Sequence, residues 1–148
     1  TKSTNILKMM DANILFHSEC NFTLSKQDAR SRWIINSVIN ESKRVGKLSF
    51  IFCTDEYLLE KNIQFLDHDT YTDIITFDYC EGDIINGDIF VSVDRVTENA
   101  NAYGVNFEDE LDRVLIHGVL HLAGYQDKSK EEINTMREKE DFYLSLRS

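Results

Sequence analysis

The chain has 148 residues, 42% hydrophobic and 11% aromatic, enough for one domain with a packed core and no disulfide staples. Its formal charge of -10 argues against casual nucleic-acid binding, because affinity for phosphates normally comes from Lys and Arg displacing counterions. No stretch approaches the roughly 20 apolar residues of a membrane helix, and Thr1 to Met10 lack the basic start and apolar run of a signal peptide, so the expected address is cytoplasmic.

The three cysteines, Cys20, Cys53 and Cys80, form no CxxC pair. They read as small buried hydrophobes in a reducing compartment, not as a disulfide framework. With no proline, repeat or low-complexity run, residues 1–148 read as a single domain, ordered from about Asn13 onward.

Asn13 to His17 reads as a first strand. Ser25 is a candidate helix cap, with Asp28 in the first turn and Trp33, Ile34, Val38 and Ile39 at helical spacing. Lys43 and Arg44 suit the last turn of that helix, and Gly46 its left-handed stop. Leu48 to Cys53 is β by its aromatic and branched content. Thr54 then caps a helix that opens on Asp55 and Glu56 and carries Tyr57, Leu58 and Ile63. Asp73 to Tyr79 and Asp88 to Val93 read as strands joined by a turn around Gly82 to Gly87, short enough to make them antiparallel neighbours.

Asp94 opens a helix that ends at Gly104. Asn106 caps the next, with Glu108, Asp109 and Glu110 in its first turn. Leu111, Val114, Leu115, Gly118, Val119 and Leu122 are so dense that this helix must be buried. Gly124 ends it. Ser129 with Glu132 is a capping-box pattern for a final, surface-lying helix to about Leu146. The predicted fold is α+β: a small mixed sheet of about four strands packed with about five helices.

His117 and His121 lie four apart on the buried helix, so both rings project from one face. That is how a short segment offers two nitrogens to a divalent metal. Gly124 can take the positive φ that reverses the chain and return the Asp127 carboxylate toward the rings. His117, His121 and Asp127 are therefore the predicted metal ligands, with zinc preferred and one ion per chain. A fourth position stays open for water or substrate, the mark of a catalytic zinc. Zinc peptidases place a general-base Glu directly after the first His. Here Gly118 stands there, leaving room for a bulky substrate or a closely packed strand. His17 and His68 have no comparable company.

The run His117-Gly118-Val119-Leu120-His121-Leu122-Ala123-Gly124-Tyr125 closely resembles the signature of the YbeY family of endoribonucleases. Thr72-Asp73-Ile74-Ile75-Thr76-Phe77 and Gly87-Asp88-Ile89-Phe90-Val91-Ser92 resemble two of its strands. The resemblance implies zinc in a cleft between sheet and helix, and hydrolysis of single-stranded RNA. It further implies maturation of 16S ribosomal RNA at its 3′ end, ribosome quality control, and the ribosome and its associated factors as partners.

Two positions depart from the family pattern. The third ligand is commonly His there, and Asp127 takes its place here. A Tyr-Arg pair usual before the first of those strands reads Phe65-Leu66, so His68, Lys61 or a partner's group would have to supply the missing cation. The working mechanism has the metal polarise a phosphoryl oxygen or activate a water, with Asp73 to Phe77, including Thr76, lining the groove. Two other readings stand beside it: a metal-dependent peptidase or amidohydrolase, and a non-catalytic ribosome-associated binding factor.

Overall fold

Apolar and polar side chains alternate along the strands, and that period of two decides which face of the sheet is buried. The computed structural model describes residues 12–66 and 72–147. Among these the strands are β1 (Asn13–Ser18), β2 (Arg44–Cys53), β3 (Ile74–Asp78) and β4 (Ile84–Ser92). The helices are α1 (Gln27–Asn40), α2 (Asp55–Leu66), α3 (Val93–Tyr103), α4 (Phe107–Leu122) and α5 (Lys130–Ser145). Sheet order is β1-β2-β4-β3. β1, β2 and β4 run parallel, and β3 pairs antiparallel with β4, Thr76 opposite Ile89. The mixed α+β sheet expected from the sequence is present.

Leu48, Phe50 and Phe52 of β2 join Ile85, Ile89 and Val91 of β4 in the main core. They meet Trp33, Ile34 and Val38 of α1 and Leu111, Leu115, Ile116 and Val119 of α4. Each such side chain, taken out of water, contributes roughly 1.5–3 kcal/mol before chain entropy is set against it. A smaller cluster, Cys53, Leu58 and Ile75 with Tyr57, Phe77 and Phe90, brings α2 against β3 and β4. Where α4 crosses the β3–β4 pair the approach is too close for a side chain. A Cβ at residue 118 would lie 2.7 Å from Ile74 Cδ1 and 3.1 Å from Ile89 Cγ2. Of the two uses foreseen for Gly118, close strand packing is the one realised.

Several element ends differ from the sequence expectation. Ser25 does not cap α1; Lys26 does, at φ 51°, without a side-chain cap bond. Ser25 instead offers its carbonyl and hydroxyl oxygens to Nη1 of Arg30. Arg30 is buried and needs acceptors, and that demand outweighs a local cap. Helix α1 stops at Asn40, Ser42 takes the positive φ of 62°, and Gly46 lies inside β2, where it meets Asn86 and Ile84. Strand β4 begins at Ile84, so the turn is tighter than Gly82 to Gly87. Helix α3 is capped by Ser92, whose Oγ accepts from the amide of Arg95.

Thr54, Asn106 and the Ser129–Glu132 capping box act as read. Helix α5 is not merely surface-lying: Met136, Glu140 and Tyr143 are buried along one stripe. All three cysteines are free, and burial pushes the Cys53 thiol up to about 12. No helix among the described residues is long and apolar enough to cross a membrane.

Candidate metal centre

Asn106 Oδ1 accepts from the Asp109 amide and starts α4; three acidic residues in the first turn suit the positive end of its dipole. The last turn carries the partial negative charge, and His121 lies in it, with His117 one turn earlier on the same face. Gly124 follows at φ 110°. Its amide donates to the His121 carbonyl and the Tyr125 amide donates to the Leu120 carbonyl, each at 3.0 Å. The bend brings Asp127 back over the helix end.

His117 Nε2 and His121 Nε2 lie 3.0 Å apart. Asp127 Oδ2 stands 3.4 Å from the first and 3.3 Å from the second. A tetrahedral zinc held by ligand bonds of about 2.0–2.1 Å separates its ligand atoms by about 3.3 Å. The side chains are 22%, 22% and 40% exposed respectively, so the group is held by the fold yet open on one side.

The other ring nitrogens are already engaged. His121 Nδ1 lies 2.9 Å from the Tyr125 carbonyl oxygen, which can only accept, so that nitrogen carries the proton. His117 Nδ1 lies 2.6 Å from Glu140 Oε2. Burial works to raise the Glu140 carboxyl, but hydrogen bonds from His117 and Arg113 outweigh it and hold it below its ordinary value, so it accepts as a carboxylate. With both Nδ1 atoms engaged, the two Nε2 atoms and the Asp127 oxygen face one another at the spacing of ligand atoms around a single cation. For His117 burial pulls its pKa down, while Glu140, Asp127 and Asp73 more than reverse that and leave it above the ordinary histidine value. The cluster could hold a metal ion, and the donor set, two imidazoles and a carboxylate, fits zinc.

A cleft of about 350 Å³ opens beside the cluster, its wall including Asp73, Glu110, Arg113, His117, Asp127 and Arg137. Burial raises the carboxyls of Asp73 and Glu110 above their ordinary values. Arg113 is committed: its two Nη atoms hold Glu140 at 2.8 Å and Asp141 at 2.6 Å. Arg137 is exposed and enters no ion pair among the described residues. Of the β3 region, the cleft takes Asp73 from just before the strand; Thr76 shares the face of Ile74, which meets Gly118.

The proposed substitutes for the family's arginine fare differently. Lys61 Nζ sits over the rings of Tyr57 and Phe65, 5.3 and 5.2 Å from their centroids. His68 lies outside the described residues. His17 pairs with Glu19 on the surface. Sequence reasoning missed Glu140 and Arg137, remote from the histidines in the chain, and Arg113, one turn before His117 on the same helix. One signal was available: Glu140 sits between Met136 and Tyr143 at helical spacing, an acid on an apolar stripe, which needs a partner.

Fold and cluster together define an α+β protein with an open two-histidine, one-carboxylate centre able to take a metal ion. The family model described as Endoribonuclease YbeY matches residues 15–147. An endoribonuclease YbeY of Flavobacterium johnsoniae is 50% identical over 133 residues, covering 90% of this chain and 96% of that protein. Its namesake in Cytophaga hutchinsonii is 49% identical over 141 residues, covering 94% and 99%. The solution structure of TM1509 from Thermotoga maritima superposes with a TM-score of 0.65 at 31% identity, covering 89% of this chain and 87% of that one. The chain belongs to the YbeY family.

Proposed function

We propose that this chain is a zinc-dependent endoribonuclease that cuts single-stranded RNA and acts in ribosomal RNA maturation and ribosome quality control in the cytoplasm. Residues 1–148 would work as one hydrolase domain, with the ribosome and its associated factors as partners. One observation carries the reading: three atoms able to ligate a metal converge beside an open cleft, in a chain whose relatives are named endoribonucleases.

His117, His121 and Asp127 would hold the ion. Bound there, zinc would supply a Lewis acid for a phosphoryl oxygen and a water of lowered pKa. The chain's own residues prepare the rest. Glu140 and the Tyr125 carbonyl fix both imidazole tautomers, so both Nε2 lone pairs stay directed at one point. Arg113 neutralises Glu140 and keeps that acid from competing for a substrate's counterions. Arg137, in the same wall and in no direct ion pair among the described residues, though its charge acts on Glu110, is placed to contact a phosphate, the task that Leu66 cannot perform.

That local cation also resolves the tension posed by the charge of -10: contact requires one arginine at the cleft, not a basic surface. The peptidase alternative lacks its base, because the space beside His117 is filled by Ile74 and Ile89 packed on Gly118.

The test compares wild type with His117→Ala on an unstructured RNA, each with added zinc. Cleavage by wild type alone is expected, together with about one zinc per chain by elemental analysis. Equal cleavage by both would expose a contaminating nuclease and remove the reading. Ribosome co-sedimentation that survives the substitution, with no cleavage by either protein, would leave a binding factor instead.

A further inference from the structure

Tyr125 is pinned at both ends. Its amide donates to the Leu120 carbonyl at 3.0 Å. Its hydroxyl donates to Glu41 Oε1 at 2.6 Å, across 84 residues of chain. Between those two anchors lies its carbonyl, the acceptor for His121 Nδ1 at 2.9 Å.

Glu41 sits just past the end of α1 with its side chain 11% exposed. Its second oxygen accepts from the Tyr143 hydroxyl and from Lys139 Nζ at 3.3 Å, and Lys139 also lies 5.6 Å over the Tyr125 ring. Asn40 Nδ2 donates to the Tyr143 hydroxyl at 3.1 Å. A carboxylate with three donors is a fixed point of the fold, since charge-assisted hydrogen bonds are short and strong.

Gly124 turns the chain at φ 110°, and Tyr125 leaves the helix held by two contacts, its amide hydrogen bond to the Leu120 carbonyl and its hydroxyl on Glu41. Its carbonyl, between those anchors, faces His121 Nδ1.

We infer that Glu41 is a positioning residue for His121: by holding the Tyr125 hydroxyl it aims the Tyr125 carbonyl, which fixes the tautomer and rotation of the imidazole. The inference rests on the metal reading above, and it adds a matching arrangement for each histidine. His117 is oriented by Glu140, itself held by Arg113. His121 is oriented by a carbonyl, itself held through a ring by Glu41. The two supports come from different ends of the chain and converge on one point.

Tyr125→Phe removes only the hydroxyl. Tyr143→Phe is the control, because it removes another Glu41 donor while leaving the hydrogen bond from Tyr125 to Glu41 in place. Zinc affinity of the full chain, by competition with a chelator, is expected to fall about 10–100-fold in Tyr125→Phe, the range for loss of an outer partner of a ligand. Tyr143→Phe should bind zinc as wild type does, even if its melting temperature drops. Nitrogen-15 spectra of the metal-free proteins should show His121 protonated at Nδ1 in wild type and a mixture of tautomers in Tyr125→Phe. Glu41→Gln, which keeps an acceptor, should recover most of the affinity that Glu41→Ala loses.

Unchanged zinc affinity and an unchanged His121 tautomer in a folded Tyr125→Phe would overturn the inference. So would an equal loss in Tyr143→Phe, which would mean general loosening. Wild type that fails to bind zinc, but whose His121 tautomer still responds to the hydroxyl, would sink the metal reading and leave the positioning intact.

Discussion

Asp127 is the residue on which the centre departs from the pattern its family resemblance implies. Its carboxylate closes the triangle of ligand atoms with sides of 3.3 and 3.4 Å to the rings, and at 40% exposed it is the least enclosed of the three. Its charge adds attraction for a dication and makes a bound water less acidic than a third imidazole would. Asp127→Ala should therefore cost more zinc affinity than the roughly 10–100-fold typical of an outer partner, whereas Asp127→His should keep the ion; chelator competition separates the two, and equal losses would place residue 127 outside the ligand set. Arg137 poses a different question, since it touches no ligand. If it contacts phosphate, Arg137→Ala should raise KM for RNA with little change in kcat. It should also flatten the dependence of log affinity on log salt by about one unit. An unchanged salt slope would return Arg137 to the role of a counterion for Glu110.

The turn between α4 and α5 brings a carboxylate to two histidines on a helix, and the three form a cluster that could hold a metal ion. Gly124 holds φ at 110°, a region where a side chain costs on the order of 1–3 kcal/mol. Gly124→Ala should lower the unfolding free energy by about that amount, read as a shift of the denaturant midpoint at unchanged slope. It should weaken zinc binding as well, because Asp127 is three residues further along the displaced chain. A midpoint shift with unaltered zinc affinity would show that the carboxylate finds its place without the bend. This turn was legible in advance because its causes are local: helical spacing, a glycine, a carboxylate. The same holds for the Asn106 cap, the Ser129–Glu132 box and the β3–β4 pair. What was not legible depends on distant partners. Ser25 gave up its cap because Arg30, facing Asp112 82 residues away, required its oxygens. Gly46 was read as a helix stop because the need of β2 for a residue slim enough to lie beside Asn86 is visible only once β4 is in place. Glu140 was a partial case: its stripe with Met136 and Tyr143 marked it as buried, but nothing in α5 named His117 as the reason.

Across the whole molecule, four arginines tie its elements together. Arg30 joins α1 to Glu108 and Asp112 of α4, Arg95 joins α3 to Asp55 of α2, Arg113 joins α4 to Glu140 and Asp141 of α5, and Arg147 reaches back to Asp109 and Asp112. A second cleft of about 510 Å³, bounded by Arg30, Asp112 and Arg147, thus has two arginines that already hold acids. An acidic chain built this way depends on its carboxylates being ionised, and Glu41 makes the dependence measurable. Burial works to raise its carboxyl, but the hydrogen bonds from Tyr125, Tyr143 and Lys139 win and leave it below its ordinary value of 4.5. Unfolded, Glu41 takes up its proton near that value; folded, it resists until lower pH. As pH falls below about 4.5 the unfolded state therefore binds more protons, and stability drops until the folded carboxyl is protonated too. Above that range the contribution is complete and flat. The melting temperature of wild type should accordingly hold steady from neutral pH to about 5 as far as Glu41 is concerned, then decline with acid. Glu41→Gln should start lower at neutral pH, since a neutral acceptor binds its three donors less strongly, and should decline less steeply, so that the two curves converge in acid. Parallel curves would mean that the Glu41 cluster contributes through packing alone, and that its charge plays no part in joining α1 to the end of α4 that carries the histidine pair.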